Sequence, residues 1–112
     1  MNESNEIIFY RTPDGDRKIG VLFQDENFWL TQKAIASLFG VDVPAISKHL
    51  RNIYETGELE REATISILET VRREGNREVK RKLEYFNLDA IIAVGYGVNS
   101  YQATQFRKAR ER

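Results

Sequence analysis

Residues 30–50 read LTQKAIASLFGVDVPAISKHL, two short amphipathic stretches hinged at Gly40. Thr31 is placed to cap a helix whose apolar residues Ile35, Leu38 and Phe39 recur at spacings of 3 and 4. Ala36 is small enough to let another helix approach, and Gly40 follows the last apolar residue, where a left-handed cap is wanted. Asp42 can cap a second helix, and Pro44 falls in its first turn, where a missing N–H costs nothing. Ile46, Leu50 and Ile53 line one face of that helix, and ETGEL at 55–59 ends it. A pair of helices crossing at a small residue, with a turn tolerant of positive φ, is what a helix-turn-helix needs.

In such a unit the second helix, Val43–Tyr54, presents its N-terminal outer face to the DNA major groove. Val43, Pro44, Ser47, Lys48 and Arg51 sit on that face. Lys48 and Arg51 can donate to guanine edges or phosphates, Ser47 suits either, and Val43 and Pro44 can pack on a thymine methyl. No acidic residue occurs between Asp42 and Glu55. The same pattern also fits two packed helices with a glycine turn in any α-containing fold, so the flanking sequence has to decide.

Upstream, residues 1–30 read as a small antiparallel β meander. Ile7–Arg11 and Lys18–Phe23 are rich in β-formers, PDGD and DEN mark turns, and Phe28–Leu30 is a third short strand. Trp29, the only tryptophan, is expected to anchor the core. Downstream, residues 64–86 read as a β-hairpin turning at REGN, with a helical reading of EVKRKLEYF as the competitor. Arg81 breaks the alternation, which predicts an exposed hairpin rather than a core sheet. Its basic residues Arg72, Arg73, Arg77, Lys80, Arg81 and Lys82 cluster about the tip. A hairpin after a helix-turn-helix is a wing, and basic wings touch backbone or minor groove. Residues 87–112 then read as C-terminal helices. The first is capped by Asn87 and ended by Gly95 and Gly97; the second is capped by Ser100. Its Tyr101, Ala103, Phe106 and Ala109 make it the candidate surface for a homodimer.

Composition sets the outer bounds. A chain of 112 residues implies a single domain. Absence of cysteine excludes disulfides, thiolate metal sites and a thiol nucleophile. No signal peptide and no apolar run long enough for a membrane are present, which reads as cytoplasmic. Net charge is zero but segregated: +2 over 31–54, −4 over 55–70 and +3 over 71–86. A neutral protein can therefore carry a basic face. His49 stands alone and is expected to be half-buried against a carbonyl rather than a metal ligand; no cofactor or metal is expected. Glu58, Glu60 and Glu62 read as a solvated acidic stretch, and nothing resembles a catalytic constellation, so the chain is not read as an enzyme.

FWLTQKAIASLFGV, ISKHLRNIYETGEL, YFNLDAIIAVGYGVNS and TQFRKAR together resemble the RhuM-type virulence protein family of bacteria. Members typically show a W-L-T-Q start, an I-S-x-H helix, an E-G-E-L turn, a Y-N-L-D segment ending in V-G-Y, and a T-x-F-R helix. Thr56 here replaces the family's common acid, and Phe86 its common tyrosine. Because such proteins are usually much longer, the resemblance implies that this chain is an N-terminal part. The N-L-D to F-R end is also similar to N-terminal domains of phage antirepressor-type DNA-binding proteins. The combined expectation is an α+β fold, a winged helix-turn-helix preceded by a β meander. It would bind double-stranded DNA sequence-specifically for a virulence-associated or mobile-element transcription regulator. The rival expectation is a winged helix used for protein–protein contact without DNA.

Overall fold

The computed structural model describes residues 6–12, 15 and 17–98. Three strands come first, β1 (Glu6–Arg11), β2 (Lys18–Gln24) and β3 (Asn27–Leu30). Three helices follow, α1 (Gln32–Phe39), α2 (Val43–Glu55) and the single turn α3 (Arg61–Thr64). Strands β4 (Ile65–Glu74) and β5 (Arg77–Asn87) form a hairpin, and α4 (Leu88–Gly97) ends the described chain. The fold is α+β. The expected helix at Ser100–Arg112, with its dimer surface, lies outside the described residues.

The local signals in the sequence act as read. The Ala34 N–H donates to Thr31 Oγ1 at 3.1 Å, and the Ala45 N–H to Asp42 Oδ1 at 3.0 Å. Gly40 adopts φ 72°, ψ 33°, a left-handed cap whose N–H returns to the Ala36 carbonyl. A side chain there would be strained, which is why the chain turns between the helices at a glycine. Strands replace the helical alternative for EVKRKLEYF.

Two expectations change. The hairpin is not only an exposed arm: all five strands form one antiparallel sheet in the order β1-β2-β3-β5-β4. The junction is two residue pairs, Trp29↔Asn87 and Leu30↔Phe86. The broken alternation at Arg81 describes only the solvated arm. At its base Phe86 is 2% exposed and belongs to the core. Asn87 fixes the corner, accepting from the Ala90 N–H at 3.2 Å and donating to the Ala63 carbonyl at 3.4 Å.

Secondly, α4 runs through Gly95 and ends at Gly97, so only the second of the two glycines is the stop that was expected. The glycines serve close approach. A Cβ at Gly95 would lie 3.2 Å from Phe39 Cζ, and one at Gly97 would lie 2.7 Å from His49 Nδ1. Thus α4 presses its bare backbone on the end of α1 and on α2. The centre is filled by Ile35, Phe39, Ile46, Phe86, Ile91 and Val94. Each such side chain contributes about 1.5–3 kcal/mol of burial. Trp29 is not the core anchor: it is half-buried, and its Nε1–H donates to the Gln24 carbonyl at 3.0 Å.

Candidate nucleic-acid interface

Helix α2 buries Ile46, Leu50 and Ile53. The 3.6-residue period then forces Pro44, Lys48, Arg51 and Glu55 onto the opposite side, and all four are exposed. Lys48 and Arg51 thus project from one solvent-facing strip, with a carboxylate at its C-terminal end. Val43 is also exposed, at the start of the helix. Ser47 lies between the strip and the core. Its hydroxyl donates to Gln32 Oε1 at 2.6 Å, so its proton is committed to orienting Gln32.

Beside α2 runs a cleft of about 480 Å³ lined by Gln32, Ser47, Leu50, Arg51, Tyr54, Glu55, Arg61, Glu84 and Phe86. It therefore lies between α2 and the base of the hairpin. The Tyr54 hydroxyl and Thr64 Oγ1 are 2.8 Å apart, and the Arg61 guanidinium sits 5.5 Å from the Tyr54 ring centroid. Burial pushes the Tyr54 phenol above its ordinary pKa, against the lowering influence of the Thr64 hydrogen bond and the Arg61 charge. Arg61 Nη2 is also 3.5 Å from Glu84 Oε2.

The hairpin divides its charges. Phe86 and Glu84 turn toward the cleft, and alternation along β5 puts Lys82 and Lys80 on that same face. Arg73, opposite Glu78 in register, belongs with them. Arg77 and Arg81 fall on the other face, and Arg81 pairs with Glu74 at 3.4 Å. Arg72 stands opposite Val79 in register. A single surface joining Lys48, Arg51, Arg73 and Arg77 is therefore not what the strand register gives. Lys48, Arg51, Arg73, Lys80 and Lys82 are the compatible set, and Arg77 faces away.

His49 is half-buried with its ring against Gly97, not at a described carbonyl. Among the described residues no three His, Asp or Glu side chains group as a metal site would require. No helix among them is long and apolar enough to cross a membrane. The acidic stretch is as read, with Glu58, Glu60 and Glu62 exposed. Gln32, Tyr54, Arg61 and Glu84 escaped the sequence reading. Gln32 opens α1 and Tyr54 lies on α2's flank, so both were within reach of a helical wheel. The meeting of Arg61 with Glu84 depends on how the hairpin folds back, and no local pattern records it.

A model of the Virulence protein RhuM family matches residues 63–111, from α3 through the hairpin and α4. No curated protein and no solved structure matches the chain. The family resemblance carried by YFNLDAIIAVGYGVNS and TQFRKAR is thereby supported over the C-terminal part, while α1 and α2 precede the matched segment.

Proposed function

We propose, for a chain carrying a RhuM-family segment over residues 63–111, that it is a winged helix-turn-helix domain binding double-stranded DNA for a virulence-associated or mobile-element regulator. The observation that carries this reading is the Pro44–Lys48–Arg51 strip, exposed on α2 directly opposite Ile46, Leu50 and Ile53. The topology supports it. Strand β3, helices α1 and α2, the single turn α3, then β4 and β5, with sheet order β3-β5-β4, is the order expected of a helix-turn-helix followed by a wing. On this reading α2 enters the major groove, Arg51 and Lys48 meet base edges, and Arg73, Lys80 and Lys82 meet phosphates. The domain works in the cytoplasm as a binding module and catalyses nothing.

Fluorescence titration of a labelled random duplex at several salt concentrations tests this. Neutralising roughly five phosphates gives a log–log salt slope of about −4 to −5. No binding at low salt, or a slope near zero, refutes it. A protein–protein module is the second reading, favoured by Ile67 and Val71, which stand 61% and 58% exposed on β4. It gains if duplex binding fails.

A further inference from the structure

The cleft beside α2 is balanced in charge, with Arg51 and Arg61 matched by Glu55 and Glu84. Arg61 and Glu84 meet at 3.5 Å with their side chains 59% and 43% exposed. Strong charge-assisted bonds are shorter, about 2.7–2.9 Å, and exposed pairs add little stability. Glu84 is therefore an exchangeable partner. What holds Arg61 in place is the Tyr54 ring beneath its guanidinium, itself fixed through the hydroxyl contact with Thr64. The result is a guanidinium on a shelf, open to an anion, on the wall that also carries Arg51. A phosphate offers Arg61 two oxygens in the geometry its fork matches.

We infer that this cleft seats a backbone phosphate of duplex DNA, with Glu84 standing in for that phosphate in the free protein and Arg61 exchanging one for the other on binding. The inference rests on the DNA-binding reading and adds Arg61 and Glu84 to it. Glu84 then opposes binding by occupying Arg61, which a phosphate must win from it.

The test is duplex affinity of three variants of the full 112-residue chain, each checked for unchanged circular dichroism. Glu84→Gln keeps the shape and removes the charge. It should bind random duplex about fivefold more tightly, the size of the attraction between unlike charges some 4 Å apart in water that a phosphate must otherwise displace from Arg61. Arg61→Gln should bind more weakly, with a salt slope shallower by about one. The double variant should bind like Arg61→Gln alone, because Glu84 acts through Arg61. Inorganic phosphate titrated alone should leave the Arg61 guanidinium NMR signal unmoved at concentrations where duplex shifts it.

If Glu84→Gln binds no more tightly than the parent, or its gain survives in the double variant, the phosphate seat is wrong while the DNA reading stands. A shift of the Arg61 signal by inorganic phosphate alone assigns the cleft to a free anion and overturns the inference. Failure of the parent chain to bind duplex overturns both.

Discussion

Replacing Gly95 by alanine sets two opposed effects against each other. Within a helix, alanine is favoured over glycine by about 1 kcal/mol, so an open site on α4 would gain stability. The site is not open. The added methyl would lie 3.2 Å from Phe39 Cζ, 3.6 Å from Cε1 and 3.8 Å from Cε2. Phe39 is 1% exposed, at the end of α1 and enclosed by the core, so its ring has nowhere to retreat. Overpacking of that kind costs about 1–3 kcal/mol. The net expectation is destabilisation by about 1 kcal/mol, read as a lower urea midpoint with the m-value unchanged. In a Phe39→Leu background the clash is relieved, and the same Gly95→Ala change should stabilise by about 1 kcal/mol relative to that background. A rise in midpoint from Gly95→Ala alone would refute the close approach of α4 to α1.

Other outcomes follow from the same geometry. Asp25 and Glu26 both hold positive φ, 56° and 59°, in the two-residue turn between β2 and β3. Left-handed backbone is costly for residues bearing a Cβ, so Glu26→Gly should raise the thermal midpoint, with a gain of about 0.5–1 kcal/mol. Burial raises the Tyr54 pKa in the folded state, so Tyr54's share of stability is complete below the ordinary tyrosine pKa and is lost as pH climbs through the raised value. The stability difference between the parent and Tyr54→Phe should accordingly shrink in alkaline urea titrations and stay constant at neutral pH. Arg51→Ala should relax sequence preference, costing about 1–3 kcal/mol on the best site, whereas Lys80→Ala should weaken all duplexes alike. Identical behaviour of the two on specific and random duplexes would cancel the division of roles. Arg77→Ala, on the far face of the hairpin, should matter less than Lys80→Ala.

The parts of this fold that could be read from the sequence are those fixed by neighbours a few residues away. Thr31, Asp42 and Asn87 each cap the helix they precede, and Gly40 turns where it was read to turn. The apolar period of α2 also gave its exposed strip, because burying Ile46, Leu50 and Ile53 leaves Lys48 and Arg51 no other direction. What escaped depends on contacts across the chain. Gly95 looked like a helix stop because glycine is a poor helix former, but helix packing overrides that preference there, and α4 ends at Gly97. The union of meander and hairpin is made by Leu30 meeting Phe86, which no local window contains. The hairpin charges were read as one cluster by composition, and strand alternation separates them: Lys80 and Lys82 on one face, Arg77 and Arg81 on the other.

Only two residue pairs tie the hairpin's β5 to β3, Trp29↔Asn87 and Leu30↔Phe86. From Phe86 to Arg77 the strand reaches roughly 30 Å at its ordinary rise per residue. Mechanically this is a long arm on a short fulcrum, and a tilt of about 10° at the base swings the tip by about 5 Å over that length. Phe86 is buried at that fulcrum. The size of the side chain at this one core position therefore sets the aim of the arm relative to α2 without changing any residue at the tip.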